Sequence, residues 1–179
     1  MARFWSLCLA MATLIIADQL TKGAIQSNLF YGQSIPVIDG FFSIAYVKNT
    51  GAAFGFGADA NEIFRIGMFL ILPVIFCGYI FYMLIKSLKG FFYISLAYAL
   101  ILAGAIGNLI DRFSLGYVVD FLLFYWKNES NHFPAFNIAD SCITVAAGLL
   151  IIDFFQQLKT KKKDNSKTEE HASNTISKS

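Results

Sequence analysis

Residues 91–121 read FFYISLAYALILAGAIGNLIDRFSLGYVVDF. Positions 91–108 carry no charge, and then Asp111, Arg112 and Asp120 arrive within a ten-residue stretch. About 20 helical residues cross the roughly 30 Å of hydrocarbon in a bilayer, so this is a membrane-length segment that ends in ionisable groups. Such groups are costly at the bilayer centre and less so toward its edge, and they are kept where they are paired or functional.

The rest of the chain has the same character. It has 179 residues, 56% of them hydrophobic, which is more than an ordinary soluble domain carries. Residues 4–22, 63–86 and 137–158 are three further spans, and Pro73 falls inside the second, where neighbouring helices compensate a kink. Ala10-Met11-Ala12 has the look of a cleavage site, but the apolar core before it is too short and the run continues to Ala17, so the first span reads as an uncleaved anchor. Cys8, Cys77 and Cys142 sit in apolar runs without paired spacing and read as buried hydrophobes. Between the first two spans, residues 23–62 are punctuated by Gly32, Pro36, Gly40, Gly51, Gly55 and Gly57. Here FFSIAYVKN (41–49) has the aromatic and β-branched content of a strand. The connection 113–136 reads as irregular, with Tyr125 and Trp126 as interface anchors. The expected organisation is one four-span catalytic domain, 1–158, with an insert at about 23–62. A polar, lysine-rich tail, 159–179, is expected to be disordered. There is no internal repeat.

Arg3, Lys86, Lys89 and the lysines of 159–163 fall at one side of the bundle, and Lys22, Lys48, Arg65, Arg112 and Lys127 are spread over longer loops at the other. Counting basic residues places both termini in the cytoplasm. The notable polar residues then converge on the outer rim: Asp18 and Lys22 at the end of the first span, Asn108, Asp111 and Arg112 at the end of the third, Asn137 and Asp140 at the start of the fourth, and Asp120 between. Each has a plain structural reading. Asp18 and Lys22 have the spacing of a helix salt bridge. Asp111 neutralises Arg112 or the two hold the following loop. Asn137 and Asp140 match an N-cap and its N3 partner, and taken alone Asp140 reads as that cap. Asp120 is then a loop carboxylate, and Asp153, at the inner end of the fourth span, is interfacial. Together they allow more. Two aspartates brought close share a proton, and such a pair hydrolyses peptide bonds with one member as general base on water and the other as general acid. Asp120 and Asp140 are the natural candidates.

Four blocks in order, DQLTK (18–22), KNTGAAFG (48–55), GNLIDRFSLGYVVDF (107–121) and FNIAD (136–140), closely resemble the lipoprotein signal peptidases, or signal peptidase II, bacterial inner-membrane aspartyl proteases. The resemblance covers all but the tail. It implies an all-α membrane protein: four transmembrane helices with a small extracytoplasmic β-cradle and a short periplasmic loop or helix that closes over the site. It implies a monomer that cuts prolipoproteins just before a diacylglyceryl-bearing cysteine, with membrane lipid as its other partner and no nucleic acid, metal or cofactor. It also implies inhibition by globomycin-type compounds. Carried onto this chain, the catalytic residues are Asp120 and Asp140. The supporting set is Asp18, Lys22, Asn49, Asn108, Asp111, Arg112 and Asn137, with Gly51 and Gly104 allowing close backbone approach. On this reading Asn49 and Arg112 orient the substrate backbone and Asp111 holds Arg112. A transporter or channel would instead space its acids through the membrane depth. Several carboxylates could also hold Mg²⁺. A zinc protease lacks HExxH, and His132 and His171, in a polar loop and the tail, make poor catalytic bases.

Overall fold

A computed structural model describes the backbone of residues 1–51 and 61–176, and the side chains of these residues except 128–131 and 160–176. Gly55 and Gly57, and the second half of the KNTGAAFG block, lie outside the described residues. Four segments are long and apolar enough to cross a membrane: helix α1 (Ala2–Asn28), Glu62–Ser87, helix α4 (Phe92–Leu115) and the first part of helix α5, Ile138–Lys159. The second span comprises α2 (Glu62–Ile66), a π-helical turn (Gly67–Ile71) and α3 (Leu72–Ser87). Pro73 explains the turn: it has no N–H, and its ring would press on the carbonyl four residues earlier, at Phe69, so the widened π turn takes up the mismatch. Many apolar side chains on α1, α3 and α5 are exposed, among them Leu9, Ile16, Ile75, Phe81, Ile151 and Phe154. Such a surface suits hydrocarbon rather than water.

Helix α4 is the hub and packs against α1, α3 and α5. Its buried face is rich in small residues, Ala97, Ala99, Ala103, Gly104 and Gly107, which lets backbones approach where lipid offers no hydrophobic drive to association. Leu7, Ile80, Leu84, Leu102 and Ala146 close the core around it. A Cβ on Gly104 would clash with the Ala139 carbonyl and lie 2.7 Å from Ile143 Cγ1, and one on Gly107 would lie 2.8 Å from Asp18 Oδ2. The first of these is the close approach expected of Gly104, and the second is a requirement at Gly107 that the sequence reading does not contain.

One end of the bundle carries a four-stranded antiparallel sheet in the order β1 (Ser34–Ile38), β2 (Phe42–Asn49), β3 (Val118–Trp126) and β4 (Asn128–His132). It is the expected small cradle, and the FFSIAYVKN strand is β2. Two elements differ from expectation. Helix α1 runs through Gly23 to Asn28, since nothing in AIQSN stops it, so the insert begins later than about 23. The connection 113–136 is mostly strand rather than irregular, because VVDFLLFYW is β-branched and aromatic; Tyr125 is buried in the sheet core, and Trp126 alone is exposed as an anchor would be. The backbone of α5 is helical to Ile176. The cysteines are free, as expected.

Candidate active site

Helix α4 ends at Gly116, whose φ of +79° is the left-handed cap that favours glycine, and β3 begins two residues later. Strand alternation sends Val118 and Asp120 to one face and Val119 to the other. Val119 is fully buried, and its N–H donates to Asp111 Oδ2 at 3.0 Å. Asp111 therefore fixes the start of β3. In the β2–β3 ladder Val47 stands opposite Asp120 and Asn49 opposite Val118, which brings Asn49 beside Asp120. Asp140 arrives from the other side, in the first turn of α5.

Three asparagines hold the two acids, and each has its amide orientation dictated by another partner. Asn49 Oδ1 accepts from the Gly51 N–H at 3.1 Å, so its Nδ2 faces Asp120 Oδ2 at 3.0 Å. Asn137 Oδ1 accepts from the Asp140 N–H at 2.9 Å, so its Nδ2 faces Asp120 Oδ1 at 2.8 Å, with Val119 O and Asn108 Oδ1 also in reach at 3.2 and 3.1 Å. Asn108 Oδ1 accepts from Lys22 Nζ at 2.9 Å, so its Nδ2 faces Asp140 Oδ1 at 2.7 Å. Asp140 Oδ2 accepts from the Asn137 N–H at 3.2 Å. The capping box suggested by the sequence is thus present, and the same Asn137 side chain reaches across to Asp120.

Beneath the acids lies a buried charge cluster. Lys22 Nζ meets Asp18 Oδ2 at 2.8 Å and Asp111 Oδ2 at 3.0 Å, and with Asn108 this gives its three N–H donors three acceptors. Lys22, Asp18 and Asp111 are each about 2% exposed or less, so the Asp18–Lys22 pair is no surface helix bridge. Asp18 Oδ1 also accepts from the Ala139 N–H at 3.0 Å, which ties α1 to the first turn of α5. Gln19 adds a hydrogen bond to Asp111 Oδ1 at 3.0 Å and one to Gly107 O at 3.1 Å.

One expectation changes. Asp111 does not hold Arg112: adjacent helical residues point about 100° apart, and Asp111 turns to Lys22, Gln19 and Val119. Arg112 turns the other way, and its Nη2 donates to Gly51 O at 3.1 Å with its guanidinium 5.9 Å from the centre of the Phe69 ring. Asn49 gives one amide N–H to Asp120 and accepts from Gly51 through its oxygen, so it steadies Asp120 while lining the same cavity. Gly51 uses both its N–H and its carbonyl in this junction. Away from the acids, Asp153 accepts from the Tyr93 hydroxyl at 2.8 Å, and His132 is exposed at the sheet edge. Sequence reading missed Gln19 and Gly107, although both sit inside the motif blocks, beside Asp18 and three residues after Gly104.

Asp120 and Asp140 line one cavity of about 520 Å³ together with Asn49, Asn108 and Arg112. Its other walls are mostly apolar, from Phe133–Phe136 and from Ile143 and Val145, exposed positions within the membrane-length part of α5, with Ser141 and Thr144 beside them. One border of the cavity is therefore formed by exposed apolar residues of a helix long and apolar enough to cross a membrane. Burial, and after it the charge of Asp140, raises the Asp120 carboxyl from its ordinary value near 3.8 to about 7, against the lowering effect of the Asn49 and Asn137 amides and of Lys22. This arrangement brings the titration of one carboxyl up to the neutral range, beside a second carboxyl in the same cavity.

A family model for signal peptidase (SPase) II matches residues 10–156. The lipoprotein signal peptidase of Syntrophus aciditrophicus is 43% identical over 148 residues, 83% of this chain and 91% of that relative. The one from Shewanella loihica is 48% identical over 142 residues, 79% of this chain and 81% of the relative. A solved bacterial membrane enzyme, obtained by the in meso method at 2.3 Å resolution, superposes with a TM-score of 0.76 at 34% identity, over 87% of this chain and 91% of its own. Four spans with a sheet at one end, and a match that runs from the first span nearly to the end of the fourth, lead to one conclusion: the chain belongs to the signal peptidase II family of lipoprotein signal peptidases.

Proposed function

We propose that the enzyme is an aspartyl endopeptidase in which Asp120 and Asp140 activate one water against the peptide bond just before a diacylglyceryl-modified cysteine. The observation that carries this reading is the two carboxyls in one half-apolar cavity, each held by fixed amide donors. The pair works with one proton between them. The ionised carboxyl takes a proton from water as its oxygen adds to the carbonyl carbon, and the protonated one gives its proton to the carbonyl oxygen. On collapse the C–N bond breaks, one carboxyl gives its proton to the departing amine, and the other takes one back from the diol O–H, which restores the single shared proton. The proton belongs to the dyad rather than to a chosen member.

Arg112 lines the cavity with N–H donors beyond the one used on Gly51, which suits it to orient the substrate backbone. The apolar flank suits the diacylglyceryl chains. Lipid anchoring contributes roughly 0.8 kcal/mol per buried CH₂, so the substrate is cut while still in the bilayer. The basic-residue count places both termini in the cytoplasm and the sheet end, with the dyad, at the periplasmic face. Globomycin-type inhibitors would fill the same cavity, and one chain supplies the whole site.

The test supplies purified enzyme with diacylglyceryl-prolipoprotein or its unmodified precursor, each with and without a chelator. Cleavage of the lipidated substrate alone, unaffected by the chelator, is the expected result. Loss on chelation would replace the carboxylate–water mechanism with a metal-assisted one.

Asn49 gives a pH prediction. With the Asp120 carboxyl raised to about 7, the pair loses its shared proton as pH rises through that value, and cleavage declines. The Asn49 N–H favours the ionised form, and Asn49→Ala removes that preference. Its alkaline limb is expected at higher pH than in the parent, with kcat lowered roughly tenfold, a scale set by the loss of a hydrogen bond to a charged group. A pH series of kcat for both enzymes checks this.

A further inference from the structure

We infer that Arg65, which none of the matched motifs includes, is a positioning residue for Asp120, acting by clamping the end of β2 to the start of β3. The inference rests on the reading of Asp120 as catalytic. The β2–β3 ladder ends at the Asn49–Val118 pair, and beyond it, among the described residues, no strand hydrogen bond holds the two segments together. Arg65 stands one step past that end. Its Nε donates to Thr50 O at 3.3 Å and its Nη2 to Gly116 O at 3.1 Å, so one planar guanidinium spans the two segments.

The segments it holds bear directly on the acid. Thr50 lies between Asn49, whose amide grips Asp120 Oδ2, and Gly51, whose N–H fixes the orientation of that amide. The Thr50 and Gly51 carbonyls are thus each held by an arginine, Arg65 from the second span and Arg112 from α4. Gly116 lies four residues before Asp120 and joins α4 to its strand. Release of the clamp frees the Asn49 donor to move relative to the carboxylate it serves.

The backbone of the second span shows how Arg65 comes to face the site. It precedes the π turn at Gly67–Ile71, while Ile80 and Leu84 after the turn pack into the core against α4. A π turn contains one residue more than an α turn, which rotates the helix before it by about 100° relative to the helix after it. The turn that accommodates Pro73 thereby decouples the direction of Arg65 from the packing face of α3. Arg65 and Arg112 line a second cavity of about 320 Å³ together with Thr50, Phe69 and Gly116.

The test compares pH profiles of kcat for the parent, Arg65→Gln and Arg65→Lys, and for Arg65→Gln combined with Asn49→Ala. Lysine keeps the charge but has a single nitrogen, so it cannot serve two carbonyls through a fixed fork. Both single variants are expected to lose roughly tenfold in kcat with little change in KM, short of the about 100-fold that a 1 Å misplacement can cost. Their alkaline limb moves upward as in Asn49→Ala, and Arg65→Gln adds no further shift in the Asn49→Ala background. A limb that stays at the parent position overturns the inference even if turnover falls, since a purely structural clamp reduces the amount of active enzyme without moving a titration. Independent, additive shifts overturn it as well. If Arg65→Gln fails to fold, Arg65→Lys decides by the same criterion. Retained turnover in Asp120→Asn would instead remove the underlying reading, a result distinct from any given by the Arg65 variants.

Discussion

Asp120→Asn and Asp140→Asn are each expected to lower cleavage by more than about 1000-fold, because general acid–base work of this kind contributes about 100- to 10,000-fold and members of a dyad act as a unit. The variants should remain folded. Each exchanges a carboxylate oxygen for an NH₂ of similar size, and each meets a conflict: Asp120 accepts from Asn49 and Asn137, and Asp140 accepts from Asn108 and the Asn137 N–H, so one new donor faces an existing donor. A conflict of that kind costs about 1–3 kcal/mol, which the relief of burying an ionisable group partly offsets. Stability should also lose part of its pH dependence in Asp120→Asn. In the folded chain the Asp120 carboxyl keeps its proton up to about 7, and in the unfolded chain only to about 3.8. Between those values the native state binds more protons, so the parent loses stability as pH rises through the window and the variant does not. Turnover assays on protein checked by thermal unfolding in detergent separate the catalytic loss from a folding defect. Full activity in either variant would remove that residue from the dyad.

Lys22→Met should be the most destabilising single change near the site. It leaves the Asp18 and Asp111 carboxyls, both about 2% exposed or less, without their shared cation. Breaking a buried ion pair on one side costs about 3–5 kcal/mol. For a chain of this size about 2–4 °C of Tm is lost per kcal/mol, so a fall of roughly 10 °C is expected by thermal unfolding in detergent. Activity should go too, and by an identifiable route. Without the ammonium only the longer contact from Asn137 Nδ2, at 3.1 Å, holds the Asn108 oxygen, so its amide is freer to rotate and withdraw the donor that meets Asp140 at 2.7 Å. A Lys22→Met enzyme with parental Tm would show that the cluster stores none of the stability assigned to it.

The four spans were legible because hydropathy over about 20 residues is a strong signal, and the rim acids stood out against it. Strand β3 was hidden because it is buried on both faces through its first half, which erases the alternation that marks a half-buried strand. The supposed Asp111–Arg112 partnership failed for a geometric reason, since neighbours in a helix look toward different elements. Asp140 shows the opposite lesson. In the sequence its capping role and its place opposite Asp120 stand as competing readings, and the Asn137 side chain makes both contacts at once. Nothing in the sequence revealed the clamp at Arg65, because its partners are backbone carbonyls, which are present at every position and mark none.

The border of the main cavity along Ile143 and Val145 is exposed apolar surface of a membrane-length helix, and this sets the scale on which the enzyme meets its substrate. Encounters occur by diffusion in a sheet two molecules thick, so the quantity that governs saturation is molecules per lipid rather than moles per litre. Spreading a fixed amount of prolipoprotein over more bilayer or more micelles thins it at the doorway and slows the reaction, while adding water changes nothing.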